Sequence, residues 1–106
     1  MTDEIRRELD RAQKALEEKN DGRVRVCARR AAGAAIRDWM SRQAQPPAWG
    51  QSAITQLRTI AADEKFPEPV RAAAMRISTT VLRDHTVPFA GNPIDDARLI
   101  IQYFGE

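Results

Sequence analysis

The sequence predicts an all-α protein, an up-and-down bundle of four main helices plus one short helix, and three observations carry that prediction. Apolar residues recur at spacings of three and four along most of the chain, whereas no stretch alternates with the two-residue period of a strand. The periodic stretches are separated by strong punctuation: Asn20 with Gly22, Pro46 with Pro47, Pro67 with Pro69, and Asn92 with Pro93. Between residues 23 and 40, five arginines (Arg23, Arg25, Arg29, Arg30, Arg37) share a helix-length run with Cys27, Ala28, Ala31, Ala32, Gly33, Ala34 and Ala35. A chain of 106 residues is the usual size of one domain, so residues 1–106 read as a single unit.

Each element has its own signals. Thr2 is a natural N-cap, with Asp3 and Glu4 favourably placed in the first turn of a helix whose apolar stripe is Ile5, Leu9, Ala12 and Leu16. Asn20, Asp21 and Gly22 read as the turn that closes it, so the arginine-rich helix follows at once and the two form an antiparallel hairpin. On the second helix Val24, Cys27, Ala28, Ala31, Ala34, Ala35 and Trp39 gather on one side. Arg23, Arg30 and Arg37 align on another, and Val26, Gly33, Ile36 and Met40 fill a third sector interleaved with Arg25 and Arg29. A helix that is apolar on several faces is central in a bundle or shared with a second subunit.

Pro46 and Pro47 stop that helix. A shorter third helix starts near Gln51 or Ser52 and buries Ile54, Leu57, Ile60 and Ala61. Pro69 suits the first turn of the fourth helix, which buries Val70, Ala73, Ala74, Ile77 and Val81 and is expected to end near Asp84 and His85. Asn92 caps the last helix, Pro93 follows it, and Ala97, Ile100, Ile101 and Phe104 make its buried stripe. Asp95 and Asp96 fall in its first turn, where carboxylates serve the cap and the dipole.

Composition narrows the function. A single cysteine, Cys27, excludes an intramolecular disulfide and an all-cysteine metal cluster, which favours a reducing, cytoplasmic setting; among alanines it reads as a small buried hydrophobe. The opening residues lack the apolar core of a signal peptide, and no stretch approaches the ~20 apolar residues of a membrane span, so no membrane partner is expected. Net charge is +2, but residues 22–40 hold five basic groups against one acidic group, while residues 1–21 hold five against seven. That imbalance makes a local basic stripe rather than a polyanion-binding protein throughout.

The run VRVCARRAAG (residues 24–33), the serine before the third helix, the Phe66, Pro67, Glu68 turn and the late Asn92, Pro93 pair before an amphipathic helix together resemble the HEPN family of small helical bundles. The resemblance spans most of the chain. It implies a helical bundle and often a homodimer; some members bind nucleotides or pair with small nucleotidyltransferases, and some are metal-independent ribonucleases. Those nucleases carry an arginine, four to six intervening residues and a histidine. Here the one histidine, His85, lies two positions after Arg83 and nine after Arg76, so the motif is not met.

The expected function is therefore a non-catalytic HEPN-like binding or assembly module for a nucleotide, RNA or a partner protein. The alternatives are a ribonuclease using His85 with Arg76 or Arg83, and a purely structural dimerisation domain. The candidate anion-binding residues are Arg23, Arg30 and Arg37, because guanidinium groups make bidentate contacts to phosphate. Pairing of that stripe with Glu8, Glu17, Glu18 or Asp21 across the hairpin is the competing reading. Trp39 and Trp49 are read as packing residues rather than base-stacking platforms. One histidine and one cysteine do not make a zinc site, no glycine-rich phosphate loop or GxSxG motif occurs, and no cofactor is expected.

Overall fold

The periodic stretches condense into helices in the computed structural model, which describes residues 2–79 and 91–105. Among the described residues there are α1 (Asp3–Glu17), α2 (Asp21–Ser41), α3 (Ala53–Ala62), α4 (Glu68–Ser78) and α5 (Pro93–Gly105), and no strand. None of these helices is long and apolar enough to cross a membrane.

α1 starts as the sequence expects: the Thr2 hydroxyl oxygen accepts from the Ile5 amide at 3.2 Å. Its end differs from expectation. The Lys19 amide donates to the Leu16 carbonyl and the Asn20 amide to the Ala15 carbonyl, with Lys19 itself at φ 58°, so a lysine occupies the left-handed position that glycine usually takes in such a closure. Asn20 belongs to the next helix: its side-chain oxygen accepts from the Arg23 amide, Asp21 is the first residue of α2, and Gly22 is already helical. Leu16 is exposed, lining a concavity with the connection and the starts of α2 and α5, and Ala15 is buried in its stead.

α2 packs against all four other helices, so its several apolar sectors are used within the chain. Cys27, Ala28, Ala31, Ala32, Ala34, Ala35 and Ile36 are all buried. Three contacts fix the directions of its neighbours. Glu4 near the start of α1 meets Arg37 near the end of α2 at 2.7 Å, so that pair is antiparallel. Arg42 at the end of α2 donates to the Phe104 carbonyl at the end of α5, so those two run the same way. Arg76 near the end of α4 pairs with Asp96 in the first turn of α5, which makes that pair antiparallel.

α3 crosses the second half of α2 at Gly33, where an added Cβ would stand 2.8 Å from the Ala53 Cβ. Leu57 and Ile60 are its fully buried residues, joined by Gln56, whose amide nitrogen donates to the Gly50 carbonyl at 2.9 Å; Ile54 and Ala61 are only half-buried. The loop before α3 is pinned by rings: Trp49 stacks on Trp39 at 5.6 Å between centroids, and Phe66 and Phe104 close the cluster. Ile36, Leu57, Ile60, Ile77, Ile100 and Phe104 are the largest fully buried hydrocarbon side chains, each contributing about 1.5–3 kcal/mol.

The fourth helix is shorter than expected. Val70, Ala73, Ala74 and Ile77 are buried as the pattern requires, but α4 ends at Ser78, because Thr79 turns to an extended backbone with ψ 133°. Val81 and the Asp84, His85 end point lie outside the described residues. α5 follows expectation closely, with Asn92 accepting from the Ile94 amide at 2.9 Å and Ala97, Ile100, Ile101 and Phe104 buried.

Two substitutions test this packing by urea denaturation. Gly33→Ala is expected to lower stability by about 1–2 kcal/mol despite the better helix propensity of alanine, since overpacking outweighs it, and pairing it with Ala53→Gly should restore part of the loss. Lys19→Gly should do the opposite, raising stability by about 1 kcal/mol by removing the left-handed penalty.

Candidate anion-binding face

α2 sorts its five arginines by angle. Arg25 and Arg29 point along the sector shared with Ile36 and Met40, toward the end of α4, while Arg23, Arg30 and Arg37 are exposed. An arginine in an apolar sector must find acceptors, and α4 supplies them. Arg25 donates through Nη2 to the carbonyls of Arg76 and Thr79, and Arg29 donates through Nε to the Ile77 carbonyl at 3.0 Å. These carbonyls lie in the last turn and cap of α4, at the negative end of the dipole, and that of Arg76 also accepts from the Thr79 amide at 3.3 Å.

The electrostatics of the two differ. Burial pushes the Arg25 guanidinium below its ordinary range, and the negative charge of Asp96 opposes that shift. Arg29 is also lowered by burial, and there the positive charges of Arg25 and of Arg58 on α3 add to the effect. Arg76 moves the other way: its hydrogen bonds to Asp96, stronger than the burial that opposes them, hold its guanidinium above the usual range. Both its Nε and Nη2 reach the buried Asp96 carboxylate, at 2.8–3.1 Å. Asp96 is therefore more than a cap residue, because it ties α5 to α4.

The expected stripe of Arg23, Arg30 and Arg37 divides. Arg37 is taken by Glu4, an acid that the sequence reading had not named as a partner. Arg23 and Arg30 instead line a shallow groove of about 430 Å³ together with Arg11 of α1, over Gly22, Val26 and Cys27. Arg11 is held by Glu8 one turn earlier, at 2.8 Å. Arg23 and Arg30 have no ion pair among the described residues. Arg11 was missed because it lies on another helix; its place on the exposed side of α1, facing the first half of α2, is the only signal the pattern offered.

Chemically the groove can hold a phosphate by charge-assisted hydrogen bonds, and it can do little else. Guanidinium groups stay protonated and donate only, so they do not exchange protons with a substrate near neutral pH. Cys27, the other titratable group there, is buried. Of the ribonuclease candidates, Arg76 is engaged by Asp96, and His85 and Arg83 lie outside the described residues. Among the described residues no group of three or more His, Cys, Asp or Glu gathers as a metal site. Trp39 and Trp49 stack on each other, at 14° between planes. No family model, curated protein or solved structure matches the chain.

Asp96→Asn keeps the shape but removes the charge that three guanidinium hydrogen bonds use. It should cost about 2 kcal/mol in a urea melt. Asp95→Asn, one residue away and exposed, should change stability by less than about 0.5 kcal/mol.

Proposed function

We propose that the chain is a non-catalytic binding module of HEPN-like, up-and-down bundle architecture that takes a phosphate-bearing ligand, a nucleotide or RNA, on the exposed side of α2. One observation carries the reading: Arg23 and Arg30 share a groove with Arg11 while the remaining α2 arginines are occupied, Arg37 by Glu4 and Arg25 and Arg29 by the end of α4. Structural arginines are normally neutralised, and a pair left facing one concavity is a ready anion site. The contacts such a surface offers go to phosphate, which positions a ligand without reading its bases. No stacking ring lines the groove. Binding should therefore tolerate changes of sequence and respond strongly to salt.

Fluorescence anisotropy with a short labelled single-stranded RNA at low and moderate salt tests this. Arg30→Ala is expected to weaken binding several-fold across unrelated sequences and to reduce the salt slope by about one. Arg37→Ala should have a smaller effect. An RNA that does not bind at low salt, with ATP equally inert, defeats the proposal.

A further inference from the structure

The buried stripe of α1 contains one residue that its pattern does not call for. Ile5, Leu9, Ala12 and Ala15 are apolar, but Glu8 lies among them and is only 8% exposed. A carboxylate withdrawn from water is costly unless its oxygens find donors. Glu8 Oε1 accepts from Arg11 Nη1 at 2.8 Å, whereas Oε2, shut off from solvent, has no donor among the described residues.

The ion pair does little to offset that cost. Both residues belong to α1, so the contact ties no second helix, and the Arg11 side chain is 56% exposed. Pairs one turn apart on a helix, with one partner in water, contribute little to stability. An apolar side chain at position 8 would complete the core stripe and serve the fold better. The burial of Glu8 is therefore better explained by what its charge does to Arg11.

Arg11 lines the groove that it shares with Arg23 and Arg30, and Glu8 does not. Of these three guanidinium groups, only that of Arg11 is already engaged by a carboxylate among the described residues. A buried charge is screened by salt and solvent much less than an exposed one, so the hold on Arg11 persists where surface pairs fade.

We infer, on the phosphate-binding reading of this groove, that Glu8 is its autoinhibitory contact: the carboxylate withholds Arg11, and a phosphate must displace it to gain the third guanidinium. Glu8 touches no ligand and acts only through Arg11. In the resting groove Arg23 and Arg30 are available at once, and Arg11 is held in reserve. Taking Arg11 away leaves Glu8 buried without its one donor, and that penalty keeps the affinity below what three guanidiniums would give.

The RNA titration tests this with Glu8→Gln, which keeps the shape and an acceptor for Arg11 but removes the charge. It should bind several-fold more tightly than the unsubstituted chain, with a salt slope steeper by about 0.7, the increment of one more phosphate contact on a single strand. Adding Arg11→Ala should abolish that gain. Arg11→Ala alone, at an exposed position, decides the case even if Glu8→Gln does not fold: it should weaken binding far less than Arg30→Ala does. Glu8→Gln binding no better, a gain that survives Arg11→Ala, or Arg11→Ala as damaging as Arg30→Ala would overturn this role while leaving phosphate binding intact. If neither the unsubstituted chain nor Glu8→Gln binds RNA or ATP, the phosphate-binding reading falls and the role of Glu8 falls with it.

Discussion

A helix that must touch four others has little room for large side chains along its middle, and α2 meets that constraint with a run of alanines, one cysteine and Gly33. Close approach is what the fold rests on. At Gly33 the backbones of α2 and α3 come near enough that even one methyl group would collide with Ala53. Packing by alanine buries little area per residue, so the larger hydrophobic contributions come from the neighbours: Ile5 and Leu9 on one side, Ile100 and Phe104 on another, Leu57 and Ile60 on a third. The central helix supplies the space, and the surrounding helices fill it.

The same helix carries the charge, and position decides what each arginine does. Those that fall among apolar neighbours are committed to the exposed carbonyls at the end of α4, where burial costs them and the helix dipole compensates. Arg76 and Asp96 extend that arrangement to α5, so three helices meet at one polar junction beside the hydrocarbon core. Arginine suits this role because its fork donates to several carbonyls at once without a proton to lose. Removing one partner there would strand the others, which is why such a junction holds one arrangement of the helices against alternatives.

Much of the fold was legible because its signals are local. Thr2, Pro69 and Asn92 mark helix starts, and the spacings of Ala73, Ala74 and Ile77, or of Ala97, Ile100 and Ile101, announce which faces are inside. The failures have two origins, one local and one not. Asn20, Asp21 and Gly22 carry a turn signature, yet asparagine is equally a helix cap, and the left-handed residue proved to be Lys19, which no propensity favours. The end of α4 falls earlier than its pattern suggests, and the arginines that hold the carbonyls there, Arg25 and Arg29, lie some fifty residues earlier in the chain. For the candidate site, a seven-residue spacing groups Arg23, Arg30 and Arg37, and all three are exposed. Periodicity within one helix could not show that Glu4 claims Arg37 or that Arg11 arrives from α1.

The aromatic cluster has a consequence for how the molecule breathes. Trp39 ends α2, Trp49 sits in the loop beyond it, Phe66 precedes α4, and Tyr103 and Phe104 close α5; each ring contacts at least one other. Segments remote in sequence are therefore fastened at one pole of the bundle. That pole opens as a cooperative unit rather than fraying helix by helix, since lifting one ring strips contacts from the next. The loop of Pro46 and Pro47 is in this sense a stitched seam, held at Trp49.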